Sequence, residues 1–408
     1  VQFDPGKQQD DEPVSRSDRR GEIQNLPDLS PEPGADFVNL RRVLILADES
    51  ADWMVAGLRQ LDRLALSIDE FAVDNGETSP VLVCIFWRPD LDRSQRWIPA
   101  TPRLTHLAFS TDLDAQPYDL ILGTRLFLYR KAIGPLIESQ RTPIAPPSSW
   151  EAAEPVPPAR VGAWEYITDG NEIDRIETEF LRSSGKSQDG LVSRYLNRPV
   201  SRAITRLLLR FPSTPNGWTW VICPIPIIAA FVLARGTYWS FFWGIVLFHV
   251  FSVFDGCDGE IARAKFMESD RGRRLDDFFD VLSNVLLVIG LGVGLSRQAR
   301  FYWIEGILAA SLIIVNEWYL ASRTPAVVVE SVRDSLGGTL YPRHRELVSR
   351  SGLLVFGERF ASLLIQLTKR DVAVLFFVVL AAIGWPSLIL HLLFVVTAVT
   401  LGLALKSR

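Results

Sequence analysis

The chain has 408 residues, with 43 Lys and Arg against 47 Asp and Glu, a net charge of −4, and 48% hydrophobic residues. That length exceeds one ordinary domain, and an acidic balance with pI near 5.7 gives no basis for nucleic-acid binding, which needs a basic face. Cys84, Cys223 and Cys257 are odd in number and scattered, which argues against a disulfide framework and fits a reducing compartment. His106, His249, His344 and His391 show no ligand spacing and are expected to be structural or solvated.

Residues 1–39 are rich in Asp, Arg, Pro, Ser and Gln without apolar periodicity, and are expected to be a disordered leader with no secretory signal peptide. From residue 40 to 188, strand-like and helix-like patterns alternate. VLILAD at 43–48 is followed by an amphipathic run from Ala51 to about Val73, then VLVCIFW at 81–87, LTHLAFS from Leu104, DLILG from Asp119 and VGAWEYI from Val161. A Pro-rich loop at 142–158 separates the last two, and the order predicts a layered α/β domain.

Between 189 and 213, arginines at 194, 198, 202, 206 and 210 recur every four residues with Leu196, Val200, Ile204, Leu207 and Leu208 between them. This predicts an amphipathic juxtamembrane helix with its basic side toward lipid headgroups. Six apolar stretches follow near 218–234, 238–262, 274–295, 301–321, 371–385 and 387–405, giving a membrane domain of six transmembrane helices over 214–408. The bias of Lys and Arg across the connecting loops puts both termini at the cytoplasmic face of a plasma-membrane protein.

Within the second and third stretches stands DGCDGEIARAKFMESDRGRRLDDFFD, from Asp255 to Asp280. Asp255 and Asp258 are three apart, and Asp276 and Asp280 are four apart, so each pair shares a helix face. Carboxylates at membrane depth are costly unless they pair or bind cations. Such a box of hard oxygen ligands suits Mg²⁺, Mn²⁺ or Ca²⁺, and two ions on it would clamp a phosphoryl group. Gly256, Gly259 and Gly272 allow close approach, and Arg263 offers a fork for phosphate. Asp277, turned about 100° from Asp276, is expected to be solvated or structural.

The run Asp255-x2-Asp258-Gly259-x2-Ala262-Arg263-x8-Gly272-x3-Asp276-x3-Asp280 resembles the signature of the CDP-alcohol phosphotransferases, and meets it at every position. The resemblance implies that Asp255, Asp258 and Asp276 are metal ligands and that Asp280 is both a ligand and the base for the acceptor hydroxyl. It also implies a CDP pocket lined by Asp255, Asp258, Gly259, Ala262, Arg263, Gly272 and Ser269, together with Pro215, Asn216, Gly217 and Trp218 of TPNGWT. Family precedent further implies a homodimer. The α/β region ahead of the signature resembles the nucleotidyltransferase domain of archaeal enzymes that fuse inositol-1-phosphate cytidylyltransferase to di-myo-inositol phosphate phosphate synthase. The triphosphate-cradling loop is missing after the first strand, where ADESADWMVAGLRQ stands instead, and Thr124 and Arg125 occupy the place of a metal-binding Asp. An inactive domain that scaffolds, docks or regulates is therefore expected, with a residual or unusual nucleotide site as the alternative.

The fusion context favours an inositol phosphate acceptor, with Arg323, Arg359, Lys369 and Arg370 as its cationic pocket. A phospholipid synthase using CDP-diacylglycerol is the alternative donor–acceptor pairing. A non-catalytic scaffold or divalent-cation carrier is the alternative of another class, although no second copy of the acidic box stands in the chain.

Overall fold

The structure, a computed structural model, describes residues 40–77, 79–140, 143–150, 163–183, 192–323 and 370–406. The expected leader, most of the Pro-rich loop, Arg359 and Lys369 lie outside the described residues. The chain divides into two compact units, one from Val1–Asp52 and Gln60–Thr168, the other from Trp53–Arg59 and Asp169–Arg408.

In the first unit, β1 (Arg42–Ala47), β4 (Val81–Trp87), β5 (Leu107–Ser110) and β6 (Leu120–Gly123) form a parallel sheet in the order β5-β4-β1-β6. RVLILA and VLVCIFW are almost unbroken apolar runs because both faces of these central strands are covered. Helix α1 (Gln60–Asp74) buries Leu61, Leu64 and Ile68 in the same core as Val43, Ile45, Val83 and Ile85. A smaller antiparallel pair, β7 (Leu126–Leu128) with β8 (Trp164–Tyr166), and helix α2 (Ile133–Gln140) complete the layer. The run from Ala51 to Val73 is not one helix as its periodicity suggested. A 3₁₀ turn at Glu49–Asp52 leads into a hairpin of β2 (Met54–Val55) and β3 (Leu58–Arg59), because Ala56 (φ 47°) and Gly57 (φ 78°) take the left-handed conformation that ends a helix.

The chain steps outward from β1 to β4 and β5, then returns to the other side of β1 as β6, so its winding reverses between β1 and β6. At the carboxyl ends of those two strands, Asp48 accepts hydrogen bonds from Ser50 Oγ (2.5 Å), Thr124 Oγ1 (3.1 Å) and Arg125 Nε (2.7 Å). Arg125 Nη2 also reaches Glu49 Oε1 at 2.6 Å. Burial pushes the Asp48 carboxyl up, but the bonds from Ser50 and Arg125 outweigh it and hold the group below the usual carboxylate range. With the folded pKa depressed, this stabilisation is present above the unfolded value near ~4 and is lost as pH falls through the lower folded value. Arg125→Met is therefore expected to cost about 1 kcal/mol at pH 7, a figure discounted for screening at a half-exposed arginine. Hydrogen exchange of the β1 amides, corrected for intrinsic rates, checks this, and an equal loss of protection at a pH low enough to protonate Asp48 in the folded protein would refute the electrostatic origin.

The second unit is helical. Helix α3 (Ile173–Ser183) precedes a π turn at Ser193–Asn197, which runs into α4 (Arg198–Leu209). Then come α5 (Pro215–Ile222), α6 (Pro224–Leu233), α7 (Tyr238–Ala264), α8 (Asp270–Leu295), α9 (Phe301–Arg323), α10 (Arg370–Ile383) and α11 (Pro386–Lys406). The break at Cys223 falls where Pro224 and Pro226 remove backbone donors. Among the described residues, Pro215–Leu233, Tyr238–Ala264 and Asp270–Leu295 are long and apolar enough to cross a membrane. A shared core of Leu233, Phe241, Ile245, Leu287, Leu291, Ile313, Val374 and Leu390 joins these helices to α9, α10 and α11.

Helix α4 occupies part of the arginine-rich stretch, but its arginines do not all turn outward. Arg198 is 7% exposed and pairs with Glu260 Oε1 at 3.0 Å, while Arg206 meets Asp174 at 2.9 Å on α3. Two of the five arginines thus satisfy protein carboxylates rather than headgroups. Leu196, Val200 and Leu207 of the apolar set are exposed, as are Arg194 and Arg210.

Candidate active site

Helix α7 ends at Ala264, and five residues later Ser269 opens α8 by accepting from Gly272 N at 3.1 Å. This tight return sets the last turns of α7 beside the first turns of α8. Asp255, Asp258 and Asp276 converge there, each offering a carboxylate oxygen within 4.8 Å of the others. Asp280, one turn further along α8, stands outside that set of three.

Asp258 is held on both oxygens. Thr219 Oγ1 of α5 donates to Oδ2 at 2.8 Å, and Gly259 N donates to Oδ1 at 2.5 Å. Thr219 is buried and escaped the sequence reading, which stopped at Trp218; its signal was a hydroxyl one helical turn beyond Pro215 on a helix that had to face the acidic pair. Trp218 Nε1 donates to the Phe254 carbonyl at 2.8 Å and so ties α5 to α7 just before Asp255. Thr214 caps α5 by accepting from Gly217 N at 3.2 Å.

Asn216 and Gly272 face each other across the two helix starts: a Cβ on Gly272 would lie 3.1 Å from Asn216 Oδ1 and 3.2 Å from Ser269 Oγ. The amino ends of α5 and α8 therefore meet beside the carboxylates, and their partial positive charges suit an anionic ligand. Arg263 Nη1 lies 3.1 Å from the position of a Cβ on Gly259, so its guanidinium folds back along α7 over Gly259. The sequence-predicted Pro215, Asn216, Gly217, Trp218, Gly259, Ala262, Arg263, Ser269 and Gly272 all lie on the elements that frame the acidic cluster. Arg323 and Arg370 sit at the end of α9 and the start of α10.

A further buried network lies behind the cluster. Glu260, 1% exposed, accepts from Arg198 Nη1 at 3.0 Å and Ser201 Oγ at 2.8 Å on one oxygen, and from Thr205 Oγ1 at 2.7 Å on the other. Arg198 crosses Gly256, where a Cβ would sit 3.3 Å from its Nη1. Lys265 is buried at the end of α7 and donates to the carbonyls of Ser213 (2.8 Å) and Phe211 (3.1 Å) in the link from α4 to α5. These contacts fix the register of α4 against α7. Sequence reading missed them because Glu260 looks like a variable position between Gly259 and Ala262.

The donor set is all carboxylate, which fits a hard divalent cation rather than a thiolate- or imidazole-bound one. Residues 214–400 match the family described as CDP-alcohol phosphatidyltransferase. Among similar proteins, one from Rubrobacter xylanophilus named bifunctional IPC transferase and DIPP synthase is 34% identical over 152 residues, covering 36% of this chain and 34% of that protein. Proteins of the same name from Thermococcus kodakarensis (35% over 118 residues, 29% of this chain, 26% of the relative) and Aquifex aeolicus (28% over 154 residues, 37% and 35%) also match. The matched stretch thus spans about a third or less of each relative's own length. The acidic cluster and its glycines lie inside the region, residues 214–400, that matches the CDP-alcohol phosphatidyltransferase family.

Proposed function

We propose that the protein transfers a substituted phosphate group from a CDP-alcohol to an acceptor alcohol. The convergence of Asp255, Asp258 and Asp276 within the family-matched region carries this reading. These three carboxylates would hold the metal, with Asp280 as a further ligand to one of two Mg²⁺ or Mn²⁺ ions. Such ions neutralise charge on the diphosphate of the donor and its leaving group. Thr219 and Gly259 keep Asp258 in one orientation, and the amino ends of α5 and α8 with Arg263 receive the phosphates. Asp280 takes the proton of the acceptor hydroxyl. The acceptor oxygen then forms a bond to the β-phosphorus in line with the departing oxygen of CMP, which keeps the electron pair of the broken P–O bond. Positioning supplies much of the rate.

The acceptor we favour is an inositol phosphate with CDP-inositol as donor, supported by the names of the relatives, which contain DIPP synthase. Arg323, Arg359, Lys369 and Arg370 are proposed as the cations that receive the acceptor phosphate. The six apolar stretches, with α5 and α6 as the first, are proposed to span a plasma membrane with both termini and the acidic cluster at the cytoplasmic face, in a homodimer. The α/β unit is proposed to be structural. Ion pairs of Arg125 with Asp48 and Glu49 stand at its winding-reversal point, the place where open parallel sheets bind ligands.

Mass spectrometry of products from the purified protein, given a panel of CDP-alcohols and acceptors with Mg²⁺ or Mn²⁺, tests the proposal. A phosphodiester of inositol phosphate together with CMP is expected. CMP with a phosphatidyl product instead would move the protein to the phospholipid synthases, and no CMP from any pair would overturn the transferase reading.

A further inference from the structure

Helices α8 and α9 are joined by a short turn at 296–300 and run antiparallel, and their crossing is fixed by two glycines. A Cβ on Gly292 would lie 3.0 Å from Gly306 Cα, and one on Gly306 would lie 3.0 Å from both Gly292 Cα and the Val288 carbonyl oxygen. Gly306 thus sits level with the stretch between Val288 and Gly292. At 1.5 Å per residue, Asn316 is about 15 Å further along α9, and Asp280 is about 15 Å back along α8 from the middle of that stretch. The two side chains share a level of the helix pair. Glu317, next to Asn316, lies within electrostatic range of both Asp277 and Asp280, which places this part of α9 against the acidic end of α8 independently of the register.

Asn316 belongs to the packed side of its helix. Ala309, Ala310 and Ile313 on that side are buried, while Ile314, Val315 and Trp318 are exposed. Asn316 itself is 8% exposed, and its Oδ1 is buried and accepts no hydrogen bond from any described residue. A buried amide oxygen in an apolar helix costs stability unless something donates to it. Leucine would pack there without that cost. An amide at the level of the proposed base, with an acceptor lone pair unused, has the chemistry to receive a hydroxyl.

We propose that Asn316 Oδ1 accepts a hydrogen bond from a hydroxyl of the incoming alcohol, holding the attacking oxygen beside Asp280 and favouring a polyhydroxylated acceptor. The inference rests on the transferase reading and names a residue for its acceptor side. Asn316 would act on the acceptor alone, because the CDP pocket is framed by α5, α7 and the start of α8. Its carbonyl takes no proton, so the transfer of the acceptor proton to Asp280 is unchanged.

The test compares the full-length wild type with Asn316→Leu in detergent, with Mg²⁺, CDP-inositol as donor and myo-inositol 1-phosphate as acceptor. The expected result is an acceptor KM raised about tenfold, the loss of one buried hydrogen bond, with donor KM within about twofold and a melting temperature no lower than wild type. An acceptor KM that does not move, or a donor KM that rises equally, overturns the assignment. So does an Asn316→Leu protein that fails to fold, because the amide would then have a structural partner. If the wild type releases no CMP from any pair in the product panel, it is the transferase reading that has failed, and this inference falls with it.

Discussion

Replacing Asp255, Asp258 or Asp276 singly by Asn is expected to lower metal-dependent CMP release by about a thousandfold or more while the protein stays folded in detergent. Asn keeps nearly the volume and one carbonyl oxygen of Asp but removes a unit of ligand charge. A bound cation supplies several kcal/mol of transition-state charge stabilisation, and each ~1.4 kcal/mol is a factor of ten in rate. Three carboxylate oxygens within 4.8 Å also repel one another when no cation is present. Each substitution should therefore leave the melting temperature without metal unchanged or raised, and should shrink the rise that Mg²⁺ or Mn²⁺ brings. Asp258→Asn should behave somewhat differently. Its Oδ1 already accepts from Gly259 N, so the amide nitrogen must take the Oδ2 place, where the Thr219 hydroxyl turns from donor to acceptor and keeps only its bond to the Pro215 carbonyl. Turnover within tenfold of wild type in any of the three variants would remove that residue from the metal centre. Rates at several Mn²⁺ and Mg²⁺ concentrations separate a weakened site from an abolished one.

The acidic cluster was legible because helical spacing is a local property. Residues three and four apart share a face whatever else the chain does, so Asp255 with Asp258 needed only the assumption of a helix, and the structure supplies that helix without a break from Tyr238 to Ala264. The central strands were legible for a similar reason, since VLVCIFW is apolar on both faces and has no helical alternative of that length. What stayed hidden depended on partners distant in sequence. The arginines of α4 repeat every four residues as a surface helix would show, yet Arg198 is drawn inward by Glu260, which is 62 residues away. The hairpin at Met54–Arg59 interrupts an amphipathic run because Ala56 and Gly57 take positive φ, a choice that hydrophobic periodicity does not encode. Thr219 and Asn316 were silent for the same reason: one polar residue in an apolar helix carries no pattern, and only burial and a neighbour's position give it meaning.

The Arg198–Glu260 pair carries the second large effect, on stability. Both groups are nearly inaccessible, with side-chain exposures of 9% and 2%, and Glu260 has three donors on its two oxygens. Glu260→Ala leaves a buried guanidinium without its carboxylate and two hydroxyls without their acceptor. Removing one partner of a buried pair costs about 3–5 kcal/mol, whereas replacing both by apolar groups of similar volume is often neutral. Glu260→Ala is thus expected to unfold the detergent-purified protein at a much lower temperature, and Arg198→Met with Glu260→Met together to recover most of the loss. Heating series read by fluorescence-detected size exclusion give both numbers. The double variant also separates packing from positioning. Glu260 stands two residues from Asp258, and Arg198 crosses the Cα of Gly256 beside Asp255, so the polar network fixes the rotation of the α7 end that carries both carboxylates. If rotation matters, the double methionine protein is stable but releases CMP at least tenfold more slowly, with a larger fall in kcat than rise in donor KM. Full activity in a stable double variant would reduce the network to a staple between α4 and α7, and a double variant no more stable than Glu260→Ala would show that the hydroxyls of Ser201 and Thr205, not the charge pair, set the cost.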